Sequence, residues 1–203
     1  SSDDTIATVS ATGLVKGVAA GNATITATSV ADTTKKATTA ITVESNTMKS
    51  QAAFDLSKIP NVQTSASVTG AMDNAAALAL FTGTTYITSG TNPISAVVGT
   101  KLYGADNTQG PKKTGLKIGA SSSAGKMVLT STVDIIKVVF TVYAWSSTKL
   151  ANVTINGAVT ALVEADATTA RKIAATFDGT KTVTIDTSKY CVAVGIEFFV
   201  STL

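Results

Sequence analysis

Residues 150–163 read LANVTINGAVTALV, two short runs rich in β-branched residues on either side of Asn156-Gly157. Asn-Gly favours positive φ at both central positions of a type I′ turn, so 150–155 and 158–163 are predicted to close as a two-residue hairpin. The pattern recurs downstream, where 172–177 and 180–186 flank Asp178-Gly179. Two such signals so close together predict an antiparallel, all-β organisation. Residues 126–132 and 135–145 alternate like half-buried strands, and 191–200 is an apolar strand containing Phe198 and Phe199. Residues 116–119 are expected to pair with 126–129 across the polar stretch 121–125.

Toward the N-terminus the signals thin out. Residues 54–59, 65–69, 84–88 and 95–103 are candidate strands, and 104–114, with Gly104, Asp106, Asn107, Gly110 and Pro111, reads as an exposed loop. The single stretch with helical character is 71–81, AMDNAAALALF, an alanine-rich run about three turns long. The polar stretch 45–51 reads as a linker.

Composition removes several kinds of function. The chain has 203 residues, no His and a single Cys, Cys191. Without histidine there is no Ser-His-Asp or Cys-His nucleophile, and one cysteine supplies neither an internal disulfide nor a cysteine-cluster metal site. Charged residues are 14% and apolar residues 44%, the balance of a folded chain rather than a disordered one. The net charge is +3, but only one arginine is present (Arg171), and the lysines form no stripe interleaved with aromatics, so no nucleic-acid partner is expected. No apolar run reaches the roughly 18–20 residues that cross a bilayer, so no membrane insertion is expected. The opening Ser1-Ser2-Asp3-Asp4 reads as the product of processing or as part of a longer product.

Residues 1–44 carry a specific resemblance. Ile6-Ala7-Thr8-Val9-Ser10 follows the acidic start, Thr12-Gly13-Leu14-Val15-Lys16-Gly17 leads to Gly21-Asn22-Ala23-Thr24-Ile25-Thr26-Ala27, and a final strand spans 37–43. This segment resembles the second half of a group 2 bacterial immunoglobulin-like domain, which implies a partial β-sandwich whose other half is expected upstream in the gene product. More loosely, 52–203 resembles a jelly-roll-like β-sandwich found at the ends of bacterial extracellular proteins and in phage structural proteins. That likeness rests on Gly115-Leu116-Lys117-Ile118-Gly119, on Val138-Val139-Phe140 through Trp145, and on Lys149-Leu150 through Gly157. The expected architecture is therefore a partial immunoglobulin-like unit over 1–44, a linker over 45–51 and a jelly-roll-like sandwich over 52–203.

Two kinds of site deserve weighing. Tyr143 and Trp145 fall on one side of their strand by period 2, with Val139 and Thr141 and away from Val138, Phe140 and Val142. With Tyr103 they are the candidate aromatic platform for a sugar, since a ring packs on the apolar face of a pyranose. Asp106 with Asn107, and Glu164 with Asp166, are the oxygen-rich spots that could hold calcium, although no Asp-x-Asp-x-Asp spacing accompanies them. No other cofactor is expected. Cys191 reads as a small buried hydrophobe. The expected function is non-enzymatic work outside the cell: a structural or adhesive module of a bacterial cell surface or a phage virion, contacting neighbouring subunits. The alternative is a carbohydrate-binding module of a secreted enzyme, contacting cell-surface glycan.

Overall fold

The computed structural model describes residues 1–44, 47–59, 71–106 and 114–202. The chain divides into two compact units, one over Ser1–Thr47 with the last residues of the chain, the other over Met48–Ser201. Both are built from antiparallel strands.

In the first unit β1 (Ala7–Val9) pairs with β2 (Val15–Gly17), and β3 (Gly21–Thr28) pairs along its whole length with β4 (Lys36–Val43). Gly13, at φ +84°, makes the first reversal. At the second, the Asp32 carboxylate accepts from the hydroxyl and the backbone N–H of Thr34, which holds its carboxyl below the usual carboxylate range. Ser2 ties the start of the chain to β3, donating its N–H to the Thr24 carbonyl and accepting the Thr24 N–H on its hydroxyl. Among the described residues of this unit only Ala7 and Ala23 are buried hydrophobics, while Leu14 is 72% and Val18 56% exposed.

The second unit begins with β5 (Met48–Asp55), which starts inside the stretch read as a linker. Only the first two residues of the predicted strand 54–59 are strand; Asp55 then caps a 3₁₀ turn at Leu56–Lys58. The predicted strand 65–69 lies outside the described residues. The predicted helix is present as α1 (Asn74–Thr82), with the Asp73 carboxylate accepting the Ala76 N–H at 2.7 Å, an N-cap that satisfies one orphan donor. Next come β6 (Ile87–Gly90), β7 (Ile94–Thr100) and β8 (Leu102–Asp106). Lys101, at φ +56°, breaks the predicted strand 95–103 into β7 and β8. They are followed by β9 (Thr114–Ile118), β10 (Gly125–Ala144), β11 (Asn152–Ile155), β12 (Ala158–Ala161), β13 (Arg171–Thr187) and β14 (Cys191–Ser201).

β10 is the spine. Residues 126–132 and 135–145, read as two strands, form one strand of 20 residues with register shifts between Thr130 and Lys137. Its first half lies between β7 and the end of β13, its second half between β14 and the start of β13. The inward parity changes at the irregularity: Met127, Leu129 and Ser131 are buried before it, Ile136, Val138, Phe140, Val142 and Ala144 after it. A shift of one residue turns every following side chain over, so the bend keeps one continuous core beneath a strand that serves two sheet layers. Buried Ser131 secures the bend, its hydroxyl donating to the Val133 carbonyl and accepting the Val133 N–H.

The hairpin at Asn156-Gly157 forms as predicted, with φ +45° and +89° and β11 paired to β12. Two other pairings differ. Residues 172–186 are not a hairpin: they belong to the single strand β13, whose two halves both pair with β10. Of Asp178-Gly179 only Gly179 has positive φ, +104°, where a type I′ turn needs two such residues. The pair instead makes a bulge opposite the bend of β10. Nor does β9 pair with the start of β10; it lies between β8 and β14. One hydrophobic core joins residues of both layers, Met127, Leu129, Val183 and Ile185 with Phe140, Ile196 and Phe198, as in a β-sandwich. α1 contributes Phe81, whose ring meets Phe54 edge-on at 5.1 Å. Among the described residues no helix is long and apolar enough to cross a membrane.

Candidate functional site

The second half of β10 turns Val138, Phe140 and Val142 into the core, so the opposite face, with Lys137, Val139, Thr141 and Tyr143, looks outward. Ladder registers carry that face across the sheet. Tyr143 stands opposite Val192 of β14, Val192 opposite Lys117 of β9, and Lys117 opposite Tyr103 of β8. Directly paired residues share a face, so this row sets two tyrosines at its ends and a lysine between them. Gly115 permits the row: a Cβ there would meet the Ala193 carbonyl at 2.5 Å, so only glycine lets β9 lie this close to β14.

Trp145 follows β10 and continues the outward face. Its ring stacks obliquely on Tyr190 at 4.6 Å between centroids. The Lys117 ammonium lies 4.3 Å from the Tyr103 ring centre and 5.6 Å from that of Trp145. A tight turn, closed by the Lys149 N–H on the Ser146 carbonyl, brings Lys149 back to within 5.7 Å of the Tyr190 ring. Tyr190 is buried and supports the cluster from beneath; Tyr103, Tyr143 and Trp145 are partly exposed. Burial holds the Lys117 ammonium below the ordinary lysine range, because partial desolvation penalises its charge. Cation–π contacts of this kind are worth ~0.5–2 kcal/mol, rising as water is excluded.

The structure thus gathers all three aromatic residues singled out in the sequence, Tyr103, Tyr143 and Trp145, on one sheet face. Period 2 placed Tyr143 and Trp145 together; Tyr103 joins them through two interstrand registers that no local pattern specifies. Lys117, Lys149 and Tyr190 were missed. For Lys117 the available signal was the strand pattern around it, which would have set it opposite Leu116 and Ile118, facing outward.

The oxygen-rich spots fare differently. Glu164 and Asp166 sit on a 3₁₀ turn, Glu164–Ala167. Asp166 is buried, and its Oδ2 accepts the Val163 N–H at 2.7 Å and faces the Arg171 guanidinium at 3.3 Å. That carboxylate closes its own turn and anchors the start of β13, which explains it without an ion. Asp106 ends β8, but its side chain and the whole of Asn107 lie outside the described residues. Among the described residues no three His, Cys, Asp or Glu side chains gather as a metal site.

Two further features complete the surface and its support. Beside Tyr143's row an open pocket of about 140 Å³ lies over Gly195, with Lys172 and Glu197 on its rim. Beneath, Cys191 is fully buried at the start of β14, and burial pushes its thiol up to about 12. Only the thiolate reacts, so Cys191 is expected to resist a thiol reagent at pH 8 until denaturant is added. Full labelling of the native protein would contradict this burial.

Residues 1–43 match the family of bacterial Ig-like domains of group 2, a match confined to the first unit. No curated protein and no solved structure matches the chain.

Proposed function

We propose that the chain is a non-enzymatic structural or adhesive module working outside the cell, on a bacterial surface or a phage virion, in contact with neighbouring protein subunits. The observation that carries this reading is the first unit: residues 1–43 match the bacterial Ig-like domains of group 2, and Leu14 and Val18 are left uncovered, apolar surface that a packed neighbour would cover. The jelly-roll-like character of the second unit belongs to the same proposal, supported by its antiparallel, non-sequential strand order. Sedimentation over rising concentration tests it. Self-association, or co-sedimentation with surface or particle proteins, is expected; a strictly monomeric chain that turns over a substrate would end the reading. Neither a cofactor nor calcium enters it.

A specific observation favours a second reading, attachment to a cell-surface glycan: the outward gathering of Tyr103, Tyr143 and Trp145. Binding to an immobilised polysaccharide is expected to saturate and to weaken ~10-fold or more in Trp145→Ala, the scale of a central aromatic anchor. Undiminished binding by that variant would remove the aromatic face from the reading.

A further inference from the structure

The ladder between β11 and β13 ends where Ile155 stands opposite Ile185, and the chain then turns away through Asn156 and Gly157. Farther along that edge of β13, Thr184 and Thr182 present backbone groups that β11 does not reach and that need partners. Asn156 supplies them. Its backbone N–H donates to the Thr184 carbonyl at 2.9 Å, its Oδ1 accepts the Thr184 N–H at 2.6 Å, and its Nδ2 donates to the Thr182 carbonyl at 3.1 Å. Both polar atoms of one side-chain amide are thus committed to β13, a clamp that carries the ladder past the turn. The residue is nonetheless exposed, and the space around Gly157 is open: a Cβ there would meet nothing within 4 Å.

Asn156-Gly157 is the one Asn-Gly pair in the chain. Glycine, lacking a side chain, is the successor that least hinders attack of its own nitrogen on an asparagine amide. We propose that Asn156 is a gated deamidation site: the clamp to β13 blocks the reaction in the closed hairpin, and conversion proceeds only when the β11–β12 hairpin lifts away. In the step, the Gly157 nitrogen gives its proton to hydroxide and bonds to Asn156 Cγ. The Cγ–Nδ2 bond breaks, Nδ2 takes a proton from water and leaves as ammonia, and a cyclic imide remains. Water then opens either imide carbonyl, giving aspartate or isoaspartate; nothing is oxidised or reduced. Two effects of the clamp oppose each other. The Thr184 N–H polarises the amide carbonyl, which favours attack, but the bond from Nδ2 to Thr182 fixes the side-chain torsions. Ring closure needs the reacting atoms aligned and within about 3–3.5 Å, and polarisation contributes nothing until Cγ can swing onto the Gly157 nitrogen, so geometry decides. The product cannot restore the clamp. A carboxylate accepts the Thr184 N–H but has no hydrogen for the Thr182 carbonyl, and isoaspartate also lengthens the backbone at the turn.

Peptide mapping of the full chain, incubated at mildly alkaline pH in buffer and in concentrated guanidinium, tests this. In guanidinium, residues 150–163 are expected to gain the mass of one deamidation, which fragmentation places at Asn156 rather than Asn152. In buffer the same gain is expected to be at least ~10-fold slower. Asn156→Asp, a copy of one product, is expected to melt roughly 2–8 °C below the unaltered chain. Asn152→Asp, the same change on an exposed residue outside the clamp, is expected to leave the melting temperature where it is. Equal rates in buffer and in guanidinium would overturn the gating, and no conversion at Asn156 in guanidinium would overturn the site itself. An Asn156→Asp chain as stable as the unaltered one would overturn the clamp.

Discussion

Phe140→Ala is expected to destabilise the Met48–Ser201 unit by about 3–5 kcal/mol, the range for emptying a well-packed aromatic site. Phe140 is fully buried in the second half of β10, paired on one side with Ile173 and on the other with Ile196, both themselves in the core. Its neighbours on the spine cannot collapse into the space, because β10 is held by ladders along both edges. A melting temperature lowered by roughly 6–20 °C should follow. The informative control is one residue away. Thr141→Ala removes a side chain from the outward face and is expected to change stability by less than about 0.5–1 kcal/mol. Comparable losses for the two variants, measured by urea unfolding of this unit, would mean that inside and outside have been assigned the wrong way round.

The second large effect is expected at Gly119→Ala. Gly119 has φ +92°, and a Cβ there would sit 2.6 Å from the Lys189 carbonyl and 3.0 Å from the Thr187 hydroxyl. The positive φ alone costs ~1–2 kcal/mol for an L-residue, and the backbone clash adds ~1–3 kcal/mol. Relief cannot come locally. Thr187 is buried with its hydroxyl donating to the Ile118 carbonyl and accepting the Gly125 N–H, and Gly119 donates its own N–H to the Lys101 carbonyl. The easiest movement is of Lys189, and with it its neighbour Tyr190, whose ring stacks on Trp145. Gly119→Ala should therefore lose both stability and the Trp145 environment, read as a shift in tryptophan emission. A stable variant with unchanged emission would show that this corner can be rebuilt around a methyl group.

The two β-turn dipeptides show what a sequence can and cannot reveal here. Asn156-Gly157 was legible because its hairpin is a local event: both residues tolerate positive φ and the flanking runs are short. Asp178-Gly179 carries the same local preference, yet the outcome is set by β10, a partner long enough to pair with both flanking runs. The helix at Asn74–Thr82 was legible for the first reason, with alanines and an aspartate cap decided within one turn. The placing of β9 between β8 and β14 was not, since it depends on register between residues more than 70 positions apart, such as Lys117 and Val192. The candidate face divides in the same way. Tyr143 and Trp145 follow from period 2 within one strand, while Tyr103, Lys117 and Tyr190 join them only through the ladders. In the first unit the sequence likeness is dense, residue by residue, and the paired strands β3 and β4 fall where it implies.

The antiparallel ladder between β5 and β14 has a mechanical consequence. Met48 and Ser201 are paired at the same end of that ladder, so tension applied between these two residues would peel it rung by rung. Trp145, Lys117 and Tyr103 stand at the opposite end, beside Cys191. A force between that end and Ser201 runs lengthwise along β14, and the rungs to β10 and β5 resist it in shear, many at once. The ladder thus yields readily when Met48 and Ser201 are drawn apart and holds firm against a load applied along β14.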